Sequence, residues 1–220
     1  SGGFWCEGTA YNSNTLKNYL RMRILANEQT DLPNQQDFVF KVWDAYVQQY
    51  FNLDSPNLWW HSDIEGDNPL DCDQEEERYI SFYDVMIELL KGNEREAQCV
   101  YLRSLIDDST VSYTGADRYS FQDTRTLGVK PTSLPLYHKE STGMRIQVMR
   151  DSWEANNTVA IMSNHAFFVD HNHMSPLNLD LYYKAKAVTK QLTAYALNPP
   201  LNGWYLEGHN NNRQAAQAYL

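Results

Sequence analysis

The interval at which apolar residues recur changes midway along the chain, and this change restricts the fold more than any other feature. Through about residue 108 apolar positions fall three and four apart; later, they alternate with polar ones between breaks rich in Ser, Thr, Gly and Pro. The first spacing lines one face of a helix and the second one face of a strand. Asn14 is placed to cap a segment with Leu16, Leu20 and Ile24 on one face. Asn34 does the same for Phe38, Val42, Tyr46 and Tyr50, with Val39, Trp43 and Val47 widening the stripe. Asp73 and Glu76 form a capping box before Tyr79, Tyr83, Met86 and Leu90, and Gly92 supplies the stop. A fourth helix from about Glu94 carries Cys99, Leu102 and Ile106 on one face.

From Ser109 to Gly143 the residue types, with Pro131 and Pro135, predict irregular chain. Met144, Ile146 and Val148 alternating with Arg145, Gln147 and Met149 predict a half-buried strand. Thr158 to Met162 and His165 to Asp170 predict two more, joined by a tight turn at Ser163-Asn164. A helix is expected from about Leu179 to Leu197, stopped by Pro199-Pro200, then a short strand at Trp204-Tyr205-Leu206 and a helical turn from Gln214. The expected class is α+β: a helical half, then a small antiparallel sheet with a covering helix. Residues 1–220 read as a single globular domain, with a possible subdivision into 1–108 and 109–220.

Charge narrows the function classes. Against 18 Lys and Arg stand 28 Asp and Glu, a net charge of −10. Such a body repels a phosphate backbone unless its cations cluster. Here they are dispersed, as Arg21, Arg23, Arg145, Arg150, Lys184, Lys186 and Lys190, so general nucleic-acid binding is not expected. No apolar run approaches the roughly 20 residues of a membrane span, so a membrane partner is not expected either. Ser1-Gly2-Gly3 reads as a cloning scar or a processed end, without the apolar run of a signal peptide. Cys6, Cys72 and Cys99 are too few and too dispersed for a disulfide framework, which favours a reducing, intracellular setting.

The densest chemistry-bearing stretch is Asn164-His165 through Asp170-His171-Asn172-His173. On an extended strand His171 and His173 share a face about 7 Å apart, a spacing suited to clasping a divalent metal, while His165 lies about 20 Å from His171. Asp170 points to the opposite face of such a strand, where it can orient or complete the shell only through a bend. The string Val169-Asp170-His171-Asn172-His173 resembles the core of the ββα-metal (HNH and endonuclease VII) nucleases, and Asn178-Leu179-Asp180-Leu181 followed by Lys190 resembles the helix that follows in that group. That resemblance implies His171 as the metal-activating histidine and Asp170 as a ligand. Asn164-His165-Ala166 at the head of an apolar stretch resembles the histidine position of papain-like and NlpC-like hydrolases. That likeness implies Cys99 or Cys6 as nucleophile, His165 as base and Asp170 or Asn172 as orienting residue. Cys99, however, lies on the apolar stripe of its helix, where an inert core thiol is expected. His61, Asp63, Glu65, Asp67, Asp71 and Asp73 offer oxygen ligands for calcium, but Pro69 and the missing turn glycine break the EF-hand pattern.

No phosphate-binding glycine loop, dinucleotide fingerprint, GxSxG or HExxH occurs. No cofactor is expected, with a divalent metal as the alternative. The expected function is therefore contact: a structural or assembly protein working through protein partners or self-assembly, such as a viral or phage particle subunit. Its 15 tyrosines and many amides suit polar-aromatic interfaces, with Trp59-Trp60 and Trp204-Tyr205 as anchors or as core. The alternative is a hydrolase centred on His165 to His173.

Overall fold

The computed structural model describes residues 18–19, 22, 35–55, 57–59, 77–106, 128–140, 145–164 and 178–189. Within them three helices precede a five-stranded antiparallel sheet, an α+β arrangement. The helices are α1 (Gln35–Val47), α2 (Glu77–Leu90) and α3 (Glu94–Ser104). Asn18, Tyr19 and Met22 are also helical, within the segment expected to follow Asn14.

The α1 stripe is wide because the helix is covered on several sides: Val39, Val42, Trp43, Ala45, Tyr46 and Val47 are all buried. Trp43 stacks on Tyr46 and meets Tyr83 edge-on, and Tyr46 packs on Phe82 with ring centroids 4.5 Å apart. Tyr50 and Tyr83 join through their hydroxyls. Gly92, at φ +79°, turns the chain between α2 and α3 in the left-handed region that glycine enters without a Cβ penalty. Asn93 then caps α3, its Oδ1 accepting the Arg95 N–H at 3.1 Å. Arg95 donates in a bidentate fork to Asp44 at 2.8 and 2.9 Å, fixing α3 against α1. Gly128 lies on α3: a Cβ there would come within 2.6 Å of the Tyr101 backbone.

The strands are β1 (Tyr137–Lys139), β2 (Ile146–Arg150), β3 (Thr158–Ser163), β4 (Asn178–Tyr183) and β5 (Lys186–Thr189), in that spatial order. β2 and β3 follow the expected alternation. Ser163 pairs within β3, opposite Ile146 and Asn178, instead of opening a tight turn. β1 is an addition inside the segment read as irregular.

The helix expected from Leu179 is not formed over the described residues; β4 and β5 stand there. The physical reason is an alternation with polar residues on the inside. Asp180 and Tyr182 are buried, whereas Leu179 and Tyr183 face out. Lys184 and Ala185, at φ 52° and 58°, make the two-residue turn, whose doubly positive φ suits strand twist. The Thr189 hydroxyl accepts the Leu181 N–H and donates to the Leu179 carbonyl, both at 3.1 Å, holding β5 across its register shift. Residues 190–197 of the expected covering helix, the expected strands at 165–170 and 204–206 and the turn from Gln214 lie outside the described residues.

The inner face of the sheet, through Ile146, Val148, Val159, Ile161 and Tyr182, packs on Ala45, Phe51 and Trp59 of the helical half. Arg150 fastens this seam. Its guanidinium donates to the carbonyls of Gln48, Tyr50 and Phe51 at 2.7, 2.9 and 3.3 Å, and to the Gln48 side-chain oxygen at 3.3 Å. These carbonyls leave the C-terminal end of α1, where a cation also meets the favourable end of the helix dipole. The Trp153 ring covers the guanidinium at 3.5 Å. Trp59 Nε1 donates to the Gln48 carbonyl at 2.8 Å, and the Asn157 amide to the Phe51 carbonyl at 2.6 Å. Trp59 is thus a core residue with no exposed surface, which settles the choice between anchor and core at that position.

His138 lies on the same inner face, in register with Val148. Burial pulls its pKa below the ordinary 6.5, with the Asp44 carboxylate partly opposing. Between 6.5 and that lowered value the unfolded chain binds the proton and the folded one does not, so stability falls as pH drops through this window. Melting curves at pH 7.5 and 5 are expected to show a smaller acid-side loss in His138→Gln than in the parent. An identical loss in both would assign it wholly to other groups.

Candidate functional site

Cys99 is the one sequence-derived nucleophile candidate within the described residues. It sits on α3 with no exposed surface, among Met86, Leu90 and Leu102, its Sγ 3.8 Å from the Tyr83 carbonyl oxygen. Burial pushes the thiol pKa well above its ordinary value; Asp84 adds to the rise and Arg103 opposes it. A nucleophilic cysteine needs a thiolate and an open approach, and this environment opposes both. Cys99→Ser is expected to cost about 1–3 kcal/mol by placing a hydroxyl among apolar neighbours. A thiol reagent should label native Cys99 slowly, at the rate of opening, as followed by mass spectrometry. Rapid labelling that increases with pH would contradict this placement.

Cys6, His165, Asp170, Asn172, His171 and His173 lie outside the described residues, as do His61, Asp63, Glu65, Asp67, Asp71 and Asp73. Among the described residues, no three His, Cys, Asp or Glu side chains group closely enough to hold a metal ion. The likeness to the ββα-metal core called for a helix at Asn178-Leu179-Asp180-Leu181, and those residues form β4 instead. Likewise, no described helix is long and apolar enough to cross a membrane.

The outer face of the sheet is the surface that the described geometry singles out. Cross-strand partners share a face, so register defines its rows. One row runs Lys139, Gln147, Met162, Leu179; the next runs Tyr137, Met149, Ala160, Leu181, Thr189; a third joins Thr158, Tyr183 and Lys186. Tyr137 is 51% exposed, Met149 37%, Leu179 44% and Tyr183 49%. Between them Ala160, Met162 and Leu181 are half-buried, giving an apolar centre flanked by two tyrosines.

Exposed cations stand at both ends, Lys139 and Arg145 at one and Lys184 and Lys186 at the other. The Lys184 ammonium lies 5.1 Å from the centre of the Tyr183 ring. No carboxylate occurs in the three rows. At the adjoining β2–β3 turn, Asp151 is engaged: its Oδ1 accepts the Thr158 N–H at 2.9 Å, which lowers its pKa.

Sequence alternation located β2 and β3 but not this face, which also needs β1, β4 and β5. The available signal was the alternation of Leu179, Leu181 and Tyr183 with Asp180 and Tyr182. No family model and no curated protein matches this sequence.

Proposed function

We propose that this chain is a structural or assembly protein acting through protein–protein contacts, self-assembling as the subunits of viral and phage particles do. The observation that supports this reading is the outer sheet face, with Tyr137, Met149, Leu179 and Tyr183 exposed around a half-buried apolar centre. Contiguous exposed apolar surface is costly to leave in water and marks interaction sites. Tyrosines at its margin supply large contact area together with a polar tip. The buried thiol of Cys99 is consistent with this reading, because it removes one route to covalent catalysis.

Light scattering over a concentration series tests it. The parent chain is expected to gain mass with concentration. Met149→Glu combined with Leu179→Glu should stay monomeric with nearly unchanged melting temperature, since both positions face outward. A parent chain that remains monomeric throughout would refute self-assembly.

A further inference from the structure

We propose, building on the assembly reading, that the outer sheet face of one copy receives the acidic segment 61–77 of a second copy. Two observations identify this occupant. The segment contains Asp63, Glu65, Asp67, Asp71, Asp73, Glu75, Glu76 and Glu77 without a lysine or arginine, and Ile64 and Leu70 supply apolar anchors. The face has the complementary pattern: an apolar centre, cations at both ends and no carboxylate in its rows.

Ion pairing within the chain sharpens the contrast. In the helical half Arg95 pairs with Asp44, Arg103 with Asp84 and Lys91 with Glu88, while Lys130 pairs with Asp54. Lys139, Arg145, Lys184 and Lys186 are exposed and, like Lys41 on α1, make no such pair among the described residues. In a chain of net charge −10, these four cations at the two ends of the sheet, beside the exposed but backbone-bonded Asp151, are available to an acidic partner.

Reach and placement agree. Five strands span about 19 Å, four gaps of about 4.8 Å. The 16 residues before α2, if extended, reach about 53 Å, so the acidic stretch is long enough to cross the face and meet the cations at both ends. Of its flanks, Trp59 is buried against the inner face of the sheet and Glu77 opens α2. On the assembly reading, the docking surface is the outer face of a second copy. Such a contact joins two different surfaces and propagates from copy to copy until it closes into a ring or continues as a filament.

Two variants of the full chain test this by complementation. Lys139→Glu with Lys186→Glu spoils the face and keeps the segment; Asp63→Asn, Glu65→Gln, Asp67→Asn and Asp71→Asn together spoil the segment and keep the face. Each alone is expected to stay monomeric by light scattering, with self-association weakened more than about tenfold. Mixed, they should form one-to-one pairs that dissociate as salt rises. A labelled peptide of residues 61–77 should bind the parent chain and lose binding to the face variant. Circular dichroism checks folding, and Lys139→Gln with Lys186→Gln replaces the charge reversal if that variant fails to fold. Variants that assemble like the parent, or a mixture that does not pair, overturn the proposed contact while leaving the assembly reading standing. A parent chain that is monomeric at every concentration overturns both.

Discussion

Replacing Arg150 with Met is expected to cost about 3–5 kcal/mol, a large effect for a single polar substitution. The guanidinium serves the carbonyls of Gln48, Tyr50 and Phe51, which leave the end of α1 and face the sheet. Hydrogen bonds to a charged donor contribute about 1.5–3 kcal/mol each, and a buried carbonyl left without a donor bears its full desolvation cost. Opposing this is the cost of burying the cation itself. Burial pulls its pKa down to about 9, so it remains charged at neutral pH, and methionine removes that penalty. The net loss therefore falls below the sum of the bonds. Arg150→Lys should recover only part of it, because one ammonium cannot reproduce a planar fork addressing three carbonyls and stacked 3.5 Å from the Trp153 ring. Urea unfolding followed by circular dichroism measures both variants. A loss under about 1 kcal/mol for Arg150→Met would mean that the seam does not depend on this side chain.

Trp43→Ala is expected to have a comparable effect, about 3–5 kcal/mol, for a different reason. The indole has no exposed surface and lies between Tyr46 and Tyr83, so its removal leaves a cavity that the surrounding rings cannot fill by small shifts. It also strips the Gln98 side-chain oxygen of the Nε1 donor at 3.3 Å. Trp43→Phe retains most of the ring volume and should cost less than half as much. Equal midpoints for the parent and Trp43→Ala in the same urea experiment would exclude this residue from the core.

Much of the helical half was legible because its spacing admits one reading. Val39, Val42, Trp43 and Tyr46 recur at three and four, and Gly92 supplies a stop between α2 and α3. The strands were harder where burial and polarity part company. Asp180 points inward, so the β4 sequence lacks the usual apolar-in, polar-out alternation, and Leu179, Tyr182 and Tyr183 at intervals of three and four imitate a helical face. β1 spans three residues, too few for any period to register. Arg150 stood in plain view two residues after Val148, on the same face by strand alternation, but its role depends on carbonyls a hundred residues away in the chain. The outer face was hidden for a related reason: it is assembled from five strands, and no single segment carries its pattern.

The central claim, that the protein works through contacts made by this face, is tested most directly by radical footprinting below and above the concentration at which mass begins to rise. The account predicts that Tyr137, Met149, Leu179 and Tyr183 lose reactivity together in the assembled state, while exposed Met22 and Val129, which lie off the strand rows, keep theirs. Unchanged reactivity across the four sheet residues in an assembled sample, or protection confined to the helical half, would contradict it.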